Sequence, residues 1–84
     1  MSQIQKTMLA ILSGMQDKNI SFSDLYNILV ALGFSVRIKG DHHIFMRQDV
    51  AEIINIQPNG NKAKPYQVKQ VRNLILKYKL GGAV

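Results

Sequence analysis

The apolar spacing of this chain changes period at Gly33, from every third or fourth residue to every second one. Before it, Leu25, Ile28, Leu29 and Leu32 fall on one helical face, and Gly33 suits the left-handed position that ends a helix. After it, "FSVRIK" alternates, with Phe34, Val36 and Ile38 on one side and Ser35, Arg37 and Lys39 on the other, as in a half-buried strand. Helix-period and strand-period segments share one short chain, which points to an α+β domain whose sheet buries one face against helices. With 84 residues there is room for a single domain, expected to span residues 1–84.

The other elements follow outward from Gly33. Ile4, Met8, Ile11, Leu12 and Met15 predict an amphipathic helix over residues 3–15, ended by Gly14 and "QDKN". The Gln, Lys and Thr set among them argue against a secretory signal. Ser21 and Asp24 form an S-x-x-D capping box for the second helix. Gly40-Asp41 is a two-residue hairpin turn signal, with the next strand over His42 to Arg47. "RQDVAE" reads as a polar connection and "EIINIQP" as a third strand, in which Ile54 and Ile56 alternate with Asn55 and Gln57. "PNGNKAKP" reads as a loop, and Pro65 suits the first position of a last helix. That helix is expected to bury Val68, Val71, Leu74, Ile75 and Tyr78, leaving Gln67, Lys69, Gln70, Arg72, Asn73 and Lys77 outside. Leu80 is expected to clip back onto the core and "GGAV" to fray. The order α-α-β-β-β-α fits a three-stranded antiparallel meander with helices on one face and the other face free for a ligand.

Eleven Lys and Arg against five Asp and Glu give a net charge of +6. Residues 62–79 contain Lys62, Lys64, Lys69, Arg72, Lys77 and Lys79 with no acid among them. Such a one-sided cationic surface attracts polyanions, nucleic acid first; the plainer alternative is a solvated face that keeps the chain in solution. No apolar run reaches the roughly 18 residues of a membrane span, so no membrane association is expected. The lack of cysteine excludes disulfides and thiolate metal sites and fits a reducing, cytoplasmic setting. Neither G-x-x-x-x-G-K-[ST] nor G-x-G-x-x-G is present, the acids are scattered, and the adjacent histidines lack a third ligand at i+3 or i+4. No cofactor and no metal are therefore expected, which leaves metal-free acid–base chemistry or none.

Both histidines lie in "KGDHHIF". Histidine gives and takes protons near neutral pH. Nearby cations such as Arg37, Lys39 and Lys64 would hold a phosphate and stabilise charge developing on it. RNA brings its own nucleophile, the 2′-hydroxyl, so proton transfer and phosphate stabilisation suffice to cut it. Alternation sends the two rings to opposite faces: His42 with Ile44 and Met46, His43 with Phe45 and Arg47. It leaves open which of them meets a ligand, and a histidine at a strand start is more often a polar edge residue than a catalyst.

"ISFSDLYNILVALGFSVRIKGDHHIFMRQ" and then "INIQPNGNKAKPYQVKQVRNLI" resemble the HicA (YcfA-like) family of toxins from toxin–antitoxin pairs. The shared pattern is a helix ending L-x-x-x-G-F, a strand, K-G-S-H-x-x-[FY], a strand ending near proline, and a Lys-rich loop into the last helix. It covers residues 20–79 as the family core, with the helix over 3–15 outside it. The resemblance implies a double-stranded-RNA-binding-domain-like fold, α-β-β-β-α, and a metal-independent endoribonuclease, an mRNA interferase. It also implies a HicB-type antitoxin as partner and His42 as the catalytic residue. On that basis Gly40 allows the turn that presents His42. Lys39, Lys62 and Lys64 become candidates for phosphate contacts, and Lys69 and Arg72 for the RNA path. Asp41 departs from the pattern, standing where the family has serine. The alternative is a non-catalytic RNA-binding module of the same fold.

Overall fold

Each of the first two helices begins where a serine takes up a free backbone N–H. The structure, a computed structural model, describes residues 2–83. In α1 (Gln3–Ser13), Ser2 Oγ accepts from Gln5 N–H while the Gln5 side chain accepts from Ser2 N–H, a complete capping box. In α2 (Phe22–Ala31), Ser21 Oγ accepts from Asp24 N–H at 3.0 Å. The expected box is only half made there, because the Asp24 carboxylate accepts instead from Gln3 Nε2 of α1.

Helix ends follow the glycines. Gly14, at φ +71°, stops α1 two residues earlier than expected, so Met15 leaves the apolar stripe and is 82% exposed. Gly33, at φ +90°, closes α2: its N–H donates to Val30 O and that of Phe34 to Leu29 O, a Schellman closure.

The sheet is an antiparallel meander of β1 (Ser35–Lys39), β2 (His42–Arg47) and β3 (Val50–Ile56), in that order. Lys39 pairs with His42 across the two-residue turn, where Gly40 takes φ +63°. "RQDVAE" proves shorter as a connection than expected: only Gln48 and Asp49 turn, and β3 starts at Val50, which is buried and pairs with Arg47. Burial wins there, since Val50 continues the face of Ile54 and Ile56. "PNGNKAKP" is also more ordered than a loop, forming a small hairpin of β4 (Pro58–Asn59) and β5 (Lys62–Ala63). Asn59 pairs with Lys62, so the two-residue turn is Gly60-Asn61, with Gly60 at φ +63°.

The last helix, α3, spans Pro65–Lys77 and buries Val68, Val71, Leu74 and Ile75 as expected, while Tyr78 packs partly buried against the core. Gln67 corrects the sequence expectation: it is fully buried, with Nε2 donating to the Asn55 carbonyl on β3 at 3.5 Å. A short 3-10 turn, Leu80–Ala83, seats Leu80 in the core, so most of "GGAV" is ordered and Val84 alone lies outside the described residues at that end.

The core lies between one face of the sheet and the helices, around Ile11, Leu25, Ile28, Leu29, Phe45, Ile54, Ile56 and Val68, all fully buried. Burial fades along β1, from Phe34 at 5% exposure to Ile38 at 57%, because β1 is an edge strand and α3 packs on β3. The chain is therefore an α+β fold with a three-stranded antiparallel sheet, helices on one face and the other face open. No helix among the described residues is long and apolar enough to cross a membrane.

Candidate active site on the open face of the sheet

The register of β2 divides the histidine pair. Paired residues on neighbouring strands share a face, so Phe45, opposite Val36 and Ile54, fixes the helix-side face. His43, opposite Ile38 and Ile56, belongs to that side. Its ring packs edge-on against Phe22 and Tyr26 of α2, with centroids 4.9 and 5.8 Å away, and its Nδ1 donates to the Asp41 carbonyl at 3.2 Å. His43 is thus an aromatic packing residue with a local backbone bond.

His42 stands on the opposite, open face. Its side chain is 47% exposed. Strand β1 brings Lys39 directly across from it, and the Gly40-Asp41 turn puts the Asp41 carboxylate 3.8 Å from its Nε2. From the other side, Asn55 of β3 approaches Nδ1 with its Oδ1 at 3.2 Å, and Gln57 approaches Nε2 with its amide nitrogen at 3.3 Å. Gln57 also reaches Asp41 Oδ2 at 3.4 Å and accepts from Lys64 Nζ at 3.4 Å. A half-exposed imidazole is therefore held on both nitrogens, with two lysines beside it, in a position open to solvent.

The basic residues named from the sequence are not all drawn into this cluster. Lys39, Gly40 and Lys64 are, the last through Gln57. Lys62 lies exposed on β5, two residues from Lys64 and paired with Asn59, and Lys69 lies exposed one turn into α3. Among the described residues, none of Lys39, Lys62, Lys64 and Lys69 forms an ion pair.

Arg72 stands apart. Expected outside on α3, it is only 16% exposed and grips Asp17 with two bonds, 2.8 and 3.2 Å, while Nη1 also donates to the Ile11 carbonyl at 3.1 Å. Its guanidinium, held charged above its usual range first by the Asp17 hydrogen bond, ties the end of α1 to α3. An arginine so engaged has no free fork to offer a phosphate, which removes the physical ground for placing it on an RNA path.

Asn55 and Gln57 are the site residues that spacing did not single out. The signal was present: both alternate with the buried Ile54 and Ile56, so both had to share the face opposite the core. Missing was the pairing register, which places Asn55 opposite Ile44 and carries Gln57 to the level of His42.

A comparison with protein families matches residues 22–78 to the one described as HicA toxin of bacterial toxin–antitoxin. That range begins at the first residue of α2 and ends just after α3, and leaves α1 outside. No curated protein and no solved structure matches the chain.

Proposed function

The chain belongs to the HicA toxin family, and so to the toxins of bacterial toxin–antitoxin systems, and from that premise we propose that it is a metal-independent endoribonuclease, an mRNA interferase acting in the cytoplasm. His42 is the acid–base catalyst. As base it takes the proton of an RNA 2′-hydroxyl while the oxygen bonds to phosphorus. The bond from phosphorus to the 5′-oxygen breaks, and the departing oxygen takes a proton from solvent. Lys39 and Lys64 hold the phosphate and offset the charge that grows on it, with Lys62 and Lys69 extending the basic track along the strand. Gly40 sets the turn that presents His42. A HicB-type antitoxin, a protein partner in a type II pair, silences the toxin by covering this face.

The observation that supports this most is the placement of His42: half exposed on the open face, facing Lys39 across the hairpin, while its neighbour His43 is packed against aromatic rings. A positioned histidine supplies roughly 10²- to 10⁴-fold of rate. Purified protein is expected to degrade mRNA in the presence of EDTA, and His42→Ala to bind the same RNA and leave it intact. RNA that survives the wild-type protein while still binding it would leave the non-catalytic module. Growth arrest on expression, relieved by His42→Ala, tests the toxin role in cells.

A further inference from the structure

We infer that Asn55 is a positioning residue for His42, holding its imidazole as the Nδ1–H tautomer so that the Nε2 lone pair is the one offered to a 2′-hydroxyl. Gln57 covers that lone pair at rest. The inference deepens the ribonuclease reading and rests on it for its chemical meaning.

The direction of every hydrogen bond around His42 follows from two groups that have no choice. A lysine ammonium only donates, so Gln57 Oε1, 3.4 Å from Lys64 Nζ, is the acceptor. A carboxylate only accepts, so Gln57 Nε2, 3.4 Å from Asp41 Oδ2, is the donor. Both demand the same orientation of the Gln57 amide. Its Nε2 also lies 3.3 Å from His42 Nε2, and a ring nitrogen facing a donor must present its lone pair. The proton of the neutral ring therefore sits on Nδ1, where Asn55 Oδ1 receives it at 3.2 Å. Reversing either amide sets two donors or two acceptors face to face.

The two amides differ in how firmly they are held. Asn55 lies within β3, opposite Ile44, and its carbonyl is tied down by Gln67 of α3. Gln57 lies past the end of β3 at Ile56, beside the exposed Pro58 and Asn59. Asn55 is the fixed support and Gln57 the removable cover. When RNA arrives, the 2′-hydroxyl displaces the Gln57 amide from Nε2. The proton then passes to Nε2 as the O2′–P bond forms and the P–O5′ bond breaks, and the leaving oxygen takes a proton from solvent. Asn55 Oδ1 keeps its bond to Nδ1–H throughout and orients the imidazolium.

Nitrogen NMR of the imidazoles of the folded protein, at a pH where the rings are neutral, reads the tautomer directly. Wild type is expected to show His42 protonated at Nδ1, Asn55→Ala to give a mixture, and Gln57→Ala to keep Nδ1–H. Asn55→Asp should keep Nδ1–H and raise the pH at which the ring protonates, since a carboxylate beside it favours the imidazolium. Asp41, Lys64 and Lys39, the other charged groups facing the ring, are the same in every variant. In cleavage, Asn55→Ala should lower kcat roughly ten- to a hundredfold, part of what a positioned acid–base group contributes, with KM unchanged. Asn55→Asp should move the acid limb of the pH–rate profile upward. A wild-type His42 protonated at Nε2, or a tautomer indifferent to Asn55, overturns the inference even if RNA is cut. An Asn55-dependent Nδ1–H tautomer in a protein that leaves RNA intact upholds the positioning and sinks the ribonuclease reading instead.

Discussion

The cations at the head of α3 and those toward its end belong to one acid-free run of sequence, and the fold puts them to opposite uses. Toward the end, Arg72 grips Asp17, and Lys77 meets Glu52 at 2.8 Å. Tyr78 adds a hydroxyl bond to Glu52 and takes the Ala51 N–H of β3 at 3.2 Å. Around the head, Lys62, Lys64 and Lys69 meet no acid among the described residues. Charge that is counted together in the sequence thus holds helices in place in one region and stays available to a ligand in the other. A basic run predicts a polyanion surface only where acids from elsewhere in the chain fail to reach it.

Replacing Arg72 is the strongest way to break that contrast. Arg72→Ala leaves the Asp17 carboxylate, 23% exposed, without its donor, and the Ile11 carbonyl with only the Gly14 N–H. We expect a loss of about 2–4 kcal/mol in urea unfolding, with RNA affinity unchanged once the protein is folded. Weaker RNA binding at unaltered stability would put both regions to the same use. Next in size, Lys62→Ala with Lys64→Ala should leave the unfolding midpoint in place. The pair should reduce the log–log salt slope of RNA binding by about 0.7 for each phosphate no longer neutralised; an unchanged slope would place the RNA elsewhere.

The smallest effect is a pH dependence. Lys77 first, then Tyr78, hold the Glu52 carboxyl below its usual 4.5. A depressed carboxylate adds stability above its unfolded pKa, and that contribution is lost as pH falls through the folded value. Glu52→Gln should therefore be slightly less stable than wild type near neutrality and should lose less on acidification below about 4.5. Parallel acid unfolding curves for the two proteins would remove Glu52 from the structural set.

The parts of the fold that were legible in the sequence are those fixed by neighbours along the chain. Gly33 closing α2, Pro65 opening α3, the Gly40-Asp41 turn and the burial of Val68, Val71, Leu74 and Ile75 each depend on a few adjacent residues. What escaped depends on distant partners. Gln67 is buried because its amide meets Asn55 of β3, and Arg72 is engaged because Asp17 lies 55 residues away in sequence and beside it in space. The candidate site divides the same way. His42, Lys39 and Gly40 are local to one hairpin, whereas Asn55, Gln57 and Lys64 reach it only through the β2–β3 register.

One consequence concerns Phe45, fully buried and three residues past the start of β2. Sliding β2 by a single position would bring His43 to the outer surface in place of its twin, so the doublet alone is no safeguard against presenting the wrong ring. The same slide would drag Phe45 out of the interior into water, at a cost of about 1.5–3 kcal/mol before its neighbours are counted. The choice between two identical imidazoles is made by an oily side chain that never touches a ligand. Changes to Phe45 are therefore changes to which histidine the molecule shows.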